Sequence, residues 1–226
     1  MKKIAYLIAA MVSLAFADSA SAQFVTGASN STSGDSFQSF YISYAPTNMN
    51  YQYSVIPLTR STKTVSVGWA KDVALQNVEN LYYEIGVAAQ YMWCKEVDDG
   101  DTELTSMLGV KVPLSLAYML PLSANLSIMP YAGLDPTLFI LGTQKSTYDD
   151  YYDDEKITEK TDLFKKDEDG DAFSRFVLNW HVGGKVFLND KYFAGVTYEG
   201  PITNLYKDED SKCNYNMTII SVGLLF

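Results

Sequence analysis

The chain has 226 residues, of which 47% are hydrophobic and 14% are aromatic, and 27 acidic against 17 basic side chains give it a net charge of −10. This acidic excess argues against nucleic acid as a partner, because binding to phosphates requires a basic surface. No apolar run reaches the roughly 20 residues with which a helix crosses a bilayer.

The first 22 residues have the pattern of a cleaved secretory signal peptide. The segment opens on two lysines, continues with the apolar stretch Ile4–Phe16 and ends on the small residues Ala20-Ser21-Ala22. We expect the mature chain to begin at Gln23 with a flexible leader over residues 23–35. The protein is therefore expected to be exported.

Segments of alternating side chains then predict eight β-strands. In the first segment, Phe40, Ile42 and Tyr44 alternate with small or polar residues, as in a strand with two different faces. A strand tilted across a membrane needs only about 9–11 such residues. The predicted strands are Ser36–Ala45, Thr64–Ala70, Tyr82–Trp93, Leu104–Leu116, Asn125–Leu141, Phe173–Leu188, Lys191–Pro201 and Tyr215–Phe226.

The connections between these segments alternate in length. Those after strands one, three, five and seven are long or polar, whereas those after strands two, four and six are shorter, as at Asn189-Asp190. Long loops on one side and short turns on the other are typical of outer-membrane barrels. We therefore predict an all-β fold, a transmembrane antiparallel up-and-down β-barrel of eight strands over residues 36–226. Ten strands are the alternative, because the long fifth segment could contain a second break.

The longest predicted loop, residues 143–172, carries eleven acids and five lysines. We expect it to be extracellular. Its stretch Tyr148–Asp154 interleaves tyrosines with carboxylates, a composition that suits binding of a protein or a glycan. The same composition also suits a solvated, partly disordered cover, and the sequence leaves both interpretations open.

Asp167, Asp169 and Asp171 superficially resemble the start of a calcium loop, because acids at alternate positions can surround one hard cation. The pattern then fails, since Ala172 replaces the required glycine and Leu178 replaces the glutamate at the twelfth position. We expect no cofactor, with at most Ca²⁺ or Mg²⁺ bound loosely to the acidic loops.

Glycines and charged residues share the strand face that is predicted to line the lumen. Glycines such as Gly68 and Gly133 leave room for long side chains from the opposite wall. Charges in a narrow lumen should pair, because an unpaired buried charge is costly. The predicted lumen charge cluster comprises Glu84, Lys111, Arg175, His181, Lys185 and Glu199.

Cys94 and Cys213 are the two cysteines of the chain. Two cysteines in an exported protein favour one disulfide. Their strands are not predicted to be neighbours, so this bond would require loops that lean across the barrel mouth. Whether the two thiols can reach each other stays open.

Three stretches carry a resemblance to a known family: Leu108–Leu114, Pro130–Leu134 and the final Phe226. On these stretches the chain resembles the small outer-membrane β-barrel proteins of Gram-negative bacteria, in particular the Bacteroidetes-type porin-like barrel domain. The resemblance implies a location in the outer membrane and contact with its lipid. It also implies insertion by the barrel-assembly machinery, with Phe226 as the assembly signal.

The leading functional interpretation is a non-enzymatic envelope protein with a mostly side-chain-filled lumen. Its acidic, tyrosine-rich loops would serve binding or envelope integrity, and the alternative is a narrow porin-like channel for cations or small polar solutes. A lumenal enzyme is not expected. The catalytic base of such an enzyme would be His181. Barrel-shaped lipid A deacylases have a His-x-Ser arrangement, whereas His181 is followed by Val182 and Gly183.

Overall fold

The computed structural model describes residues 36–53, 56–75, 78–98, 101–149, 156–165, 172–206 and 211–226. The predicted signal peptide, the leader and the three aspartates of the calcium-like stretch (Asp167, Asp169 and Asp171) lie outside these ranges. Within them, no helix is long and apolar enough to span a membrane.

The secondary structure of the described residues consists of strands. Their bounds are β1 (Phe37–Tyr53), β2 (Ile56–Ala74), β3 (Leu81–Asp98), β4 (Asp101–Lys111), β5 (Leu114–Tyr118), β6 (Leu120–Ser123), β7 (Leu126–Asp149), β8 (Lys156–Asp162), β9 (Phe176–Leu188), β10 (Tyr192–Pro201) and β11 (Ser211–Leu225).

Antiparallel pairing closes these strands into a ring in the order β1, β2, β3, β4 with β5, β7, β9, β10 and β11. The strands β4 and β5 share one place in the ring, because both pair with β3 on one side and with β7 on the other. The break between them falls at Val112-Pro113, where proline cannot donate to the ladder. Pairing of β11 with β1, as at Ile42 and Val222, completes the ring. The predicted eight-stranded barrel is confirmed, and the described residues do not form the ten-stranded alternative.

The two ends of the barrel differ. The end that carries Ser36, Phe226 and the β2–β3 and β9–β10 turns is called the lower end, and the opposite one the upper end. At the lower end, Asn189 and Asp190 have φ values of 54° and 52°. Two successive residues in this left-handed region form the tightest hairpin turn, and Asn and Asp tolerate it better than most residues. The predicted short connection is therefore a tight turn, in which Lys191 N–H donates to the Leu188 carbonyl oxygen at 3.2 Å.

At the upper end, most of the predicted long loops prove to be strand. Only residues 54–55 separate β1 from β2, and only residues 99–100 separate β3 from β4. Within the predicted acidic loop, β7 continues to Asp149 and β8 pairs with it. Backbone ladders can continue where side chains are polar, so apolar alternation underestimates strand length. We call these strand extensions the crown.

The outward face carries a belt of exposed apolar side chains. On β1, Phe40, Ile42 and Tyr44 are 56%, 59% and 44% exposed. Val65 and Ile220 lie beside Tyr44 in register and mark the upper edge of the belt on three adjacent strands. Further members around the ring are Val67, Tyr91, Leu108, Leu134, Ile140, Leu141, Trp180, Val182, Val186, Tyr192, Val196, Val222 and Leu224. Such a continuous belt is the surface that a barrel presents to lipid.

Inside the barrel, two apolar clusters lie above and below a polar layer. The upper cluster includes Met49, Phe139 and Tyr215, and it also contains Leu163 and Leu205 from segments that connect the crown strands. The lower cluster is formed by Tyr82, Ala117, Met129, Tyr131, Phe187 and Phe193. Glycine permits this packing at Gly223, where an added Cβ would lie within 2.6 Å of the Phe193 ring. Side chains therefore fill the lumen near both ends.

Candidate functional site in the lumen

The polar layer brings together five of the six residues of the predicted lumen charge cluster. Glu84 on β3, Lys111 on β4, His181 and Lys185 on β9, and Glu199 on β10 are all buried. Alternation along each strand turns these side chains inward, while their neighbours in sequence join the belt. The structure therefore places these five residues on the inner face of the barrel, where the sequence pattern predicts them.

Lys111 forms the centre of one ion pair. Its Nζ donates to Glu199 Oε2 at 2.9 Å and lies 3.8 Å from Asp135 Oδ2. Asn179 Nδ2 donates to the other Glu199 oxygen at 2.6 Å. Both oxygens of this fully buried carboxylate therefore accept a hydrogen bond, as a buried charge requires.

Lys185 forms a second ion pair lower in the lumen, with Glu84 as its partner. The Lys185 ammonium also lies 5.1 Å from the centre of the Tyr131 ring and 5.5 Å from that of Phe193. Aromatic faces attract cations at such distances. Ser115 Oγ donates to Glu84 Oε1 at 3.5 Å, a long hydrogen bond.

His181 joins the two ion pairs. Its Nε2 is hydrogen-bonded to Ser115 Oγ at 2.8 Å, and its Nδ1 lies 2.9 Å from Asp135 Oδ2. The second contact is short but poorly aligned for a hydrogen bond. The sequence pattern indicates no partner for His181. Its partners Ser115 on β5 and Asp135 on β7 are far from it in sequence and form no recognisable motif with it. The three residues stand in the order of a serine–histidine–aspartate triad.

Two buried carboxylates were missed in the sequence. Asp72 is fully buried and lies directly opposite Glu84 in the β2–β3 register. Asp135 is 2% exposed. The signal was present, since Asp72 continues the inward alternation of Gly68 and Ala70, and Asp135 follows the inward Gly133 by two positions. The polar layer thus holds four carboxylates, on Asp72, Glu84, Asp135 and Glu199, beside two lysines and one histidine.

Arg175 does not belong to the lumen cluster, contrary to the prediction. It lies just before β9, so the inward alternation of that strand does not determine its direction. Its Nη1 donates to the carbonyl oxygen of Ile140 at 2.6 Å, and its guanidinium lies 4.4 Å from the centre of the Phe164 ring. Arg175 therefore helps to hold the connecting segment at the upper end.

A cavity of about 60 Å³ adjoins the charged groups. Ser43, Ser66, Thr197 and Ser221 contribute to its lining together with the charged side chains. At about 30 Å³ of liquid volume per molecule, it has room for about two waters. No group of three or more His, Cys, Asp or Glu that could hold a metal ion occurs among the described residues.

A second cavity, of about 120 Å³, lies in the crown beside Arg60. Arg60 Nη1 donates to Glu103 Oε1 at 2.6 Å, and Nε lies 3.3 Å from Glu96 Oε2. These two glutamates are opposite each other on β3 and β4, so Arg60 on β2 relieves their repulsion. The Arg60 guanidinium also lies 5.3 Å from the centre of the Tyr51 ring.

The disulfide that the sequence analysis left open is not formed, since Cys94 and Cys213 are both free and buried. Cys94 is on β3 and Cys213 on β11, with β2 and β1 between them in the ring. Cys94 Sγ donates to the carbonyl oxygen of Ser61 at 3.4 Å. Burial raises the pKa of the Cys213 thiol, which lies above the belt, to about 12. The reactive thiolate of Cys213 is therefore scarce at neutral pH.

Phe226, the predicted assembly signal, lies at the lower end on the outward face. Its side chain is 59% exposed and stacks on Phe40 with ring centres 5.3 Å apart. Its backbone N–H donates to the Gln38 carbonyl oxygen at 3.0 Å. The residue is therefore positioned at the rim of the β1–β11 pair.

No family model and no curated protein matches the sequence. Among solved structures, the chain is similar to Ail, the attachment invasion locus protein of Yersinia pestis, at 11% identity and a TM-score of 0.45 over 86% of this chain and 100% of that one. It is also similar to Neisserial surface protein A (12% identity, TM-score 0.40, 82% and 96% covered). A third is the N-terminal β-barrel domain of Pseudomonas aeruginosa OprF (16%, 0.32, 85% and 100%). By its own strand register, the chain folds into a closed, eight-stranded antiparallel β-barrel around a buried charge network.

Proposed function

We propose that this protein is an integral outer-membrane β-barrel of a Gram-negative bacterium with a plugged lumen, and that its function lies in the crown. The apolar belt supports the membrane location, because a continuous exposed apolar surface is unfavourable in water. The crown would face outside the cell, as the longer hairpins of such barrels do. The predicted signal peptide and assembly machinery supply the route to this location.

The observation that carries the proposal is the filling of the lumen. The upper cluster, the paired charges and the lower cluster follow one another along the barrel axis. Water-filled channels occur in barrels of about 16–18 strands, whereas eight strands enclose little more than side chains. With no open lumen to use, binding or envelope integrity falls to the crown, where the Arg60 cavity offers a candidate site for an extracellular protein or glycan.

Single-channel recording in a planar bilayer tests this proposal. We expect no discrete conductance from protein whose folding and insertion are verified by heat-modifiable gel migration. Reproducible cation-selective steps would instead support the narrow channel for cations or small polar solutes. The four lumenal carboxylates, which outnumber the two lysines, are the observation that favours that second candidate.

We further propose that the protein is not an enzyme, despite the arrangement of Ser115, His181 and Asp135. Ser115 is only 6% exposed, and the nearby cavity of about 60 Å³ leaves no room for a lipid or peptide substrate. A fluorophosphonate probe should therefore leave Ser115 unmodified in the folded protein. Labelling that disappears in both Ser115→Ala and His181→Ala would contradict this.

A further inference from the structure

The outward face of β1, β2 and β11 changes abruptly from apolar to polar above the belt. One row, at the level of Asn48, contains Ser61 and Asn216 as its register partners. The next row contains Thr59, Asn50 and Asn214. Here Thr59 Oγ1 donates to Asn50 Oδ1 at 3.2 Å, and Asn50 Nδ2 donates to Asn214 Oδ1 at 3.3 Å. The three strands thus present ordered rows of amides and hydroxyls, which we call the amide face.

The amide face is also distinctive in its charge. Its positions are Pro46, Asn48, Asn50 and Gln52 on β1, Thr59, Ser61 and Lys63 on β2, and Lys212, Asn214, Asn216 and Thr218 on β11. None of these is acidic, although the chain has 27 acids and a net charge of −10. The exposed Lys63 and Lys212 give the face a positive charge. The side chains of Asn48 and Asn216 form no hydrogen bond with any described residue, which leaves both amides available to a ligand.

The height of the amide face limits what it can contact. Strand residues rise about 3.4 Å each and small barrels tilt their strands by about 40°, so successive outward rows stand about 5 Å apart along the membrane normal. Asn50 is three rows above Tyr44 and therefore about 15 Å above the edge of the belt. A phospholipid headgroup layer is only about 5–8 Å thick. A larger headgroup is needed to reach the rows of Asn48 and Asn50.

We propose that the amide face binds the phosphorylated sugar headgroup of a glycolipid in the outer leaflet. Ammonium groups pair with phosphate, and amides and hydroxyls both donate to and accept from sugar hydroxyls. The face continues the lipid-facing belt without a gap, so a lipid seated against Tyr44 and Ile220 carries its headgroup to these rows. This inference rests on the proposed function, because it requires the barrel to span the outer membrane with the crown outside.

The test measures the thermal unfolding temperature of the protein in three kinds of vesicle. One contains phosphatidylcholine alone, one adds phosphatidylglycerol, and one adds a bisphosphorylated glucosamine disaccharide lipid. We expect the disaccharide lipid to raise the unfolding temperature by at least about 2–4 °C, the shift typical of 1 kcal/mol for a chain of this size. The pairs Asn48→Ala with Asn216→Ala, and Lys63→Ala with Lys212→Ala, should each remove at least half of this rise.

The matched control is Lys145→Ala with Lys160→Ala, two lysines paired across β7 and β8 on another part of the crown. This control should keep the full rise. An equal loss in the control, or an equal rise with phosphatidylglycerol, would reduce the effect to general charge attraction and overturn the proposal. No rise in protein that has inserted into all vesicles would overturn it while leaving the membrane barrel intact. Failure to insert into any vesicle would overturn the barrel proposal and this one together.

Discussion

Lys111 keeps its charge although it is buried in the lumen, because several polar groups surround its ammonium. Glu199 accepts its hydrogen bond, Asp135 lies 3.8 Å away, and Asn179 satisfies the second Glu199 oxygen. Removing two charges from water costs several kcal/mol per ion, and such a cost is recovered only when the geometry satisfies every partner. Lys111 and its partners therefore stabilise one another. Without Lys111, the buried carboxylates would keep their desolvation cost and lose the cation that offsets it.

Replacing Lys111 by methionine should lower the free energy of unfolding by about 3–5 kcal/mol, because Glu199 and Asp135 would stay buried without their cation. Urea unfolding in vesicles measures this change. The double variant Lys111→Met with Glu199→Gln should recover part of the loss. Lys191→Met, at an exposed turn, is the control and should stay within about 0.5 kcal/mol of the native value. A Lys111→Met loss as small as that of the control would contradict this account.

The residues of the charge network were predictable where they lie inside regular strands. Glu84, Lys111 and His181 follow the same alternation as their apolar neighbours, which is a local property of the sequence. Asp72 was missed because apolar alternation ended the predicted strand at Ala70, before the ladder itself ends. The partners of His181 come from β5 and β7, and no local pattern encodes a contact between strands so far apart in sequence.

At the scale of the elements, the segments that connect the crown strands help to close the upper end of the lumen, a role that the sequence does not predict. Leu163 and Leu205 lie in short stretches flanked by charged residues, yet they are 6% and 0% exposed in the upper cluster. Leu163 N–H donates to the Gly142 carbonyl oxygen at 3.1 Å, and Leu205 N–H to that of Cys213 at 2.6 Å. These backbone hydrogen bonds hold the two leucines over the lumen, where their side chains close its upper end. We call Leu163 and Leu205 the stopper.

Shortening both leucines to alanine should open this stopper and expose the buried Cys213 thiol. Each truncation costs about 2–5 kcal/mol in a packed core, and every 1.4 kcal/mol of easier local opening accelerates labelling tenfold. We therefore expect N-ethylmaleimide to alkylate Cys213 at least about tenfold faster in a Cys94→Ser background. Leu122→Ala, exposed at the lower end, should leave the rate unchanged. An unchanged rate in the double variant would place the seal elsewhere.

Strand number was predictable from the sequence, whereas strand length and loop packing were not. Alternation is strong where one face meets the belt, as at Phe40, Ile42 and Tyr44. It fades in the crown, where both faces are polar, so the predicted first strand ended at Ala45 while β1 continues to Tyr53. The pairing of β8 with β7 likewise depends on backbone hydrogen bonds that side-chain composition does not record.

At the scale of the whole molecule, the barrel is defined by its closure. Every ring strand has a partner on both sides, and the pairing of β1 with β11 removes the last two edges. Unpaired strand edges invite association with other chains. In a bilayer they are also costly, because lipid cannot satisfy backbone hydrogen bonds.

Phe226→Asn should reduce the amount of assembled barrel in the outer membrane several-fold. The side chain is exposed beside Phe40, so its removal costs few internal contacts, and the expected defect lies in assembly. The measurement is the heat-modifiable fraction in isolated outer membranes. Barrel that does assemble should unfold at the native urea concentration. Leu122→Asn, an equally exposed apolar residue at the same end, is the control, and native levels of Phe226→Asn would count against an assembly role.

The β1–β11 pairing also sets an order of events. Ser39 pairs with Leu225, so the first strand of the ring waits for the last one before either has a complete set of hydrogen bonds. A partial chain cannot form this closed ring, since any smaller set of strands leaves two edges unpaired. The ring can therefore close only after β11 has been synthesised. The β1–β11 pairing therefore acts as a check that the chain is complete, because only the full set of strands leaves no edge with unsatisfied backbone hydrogen bonds.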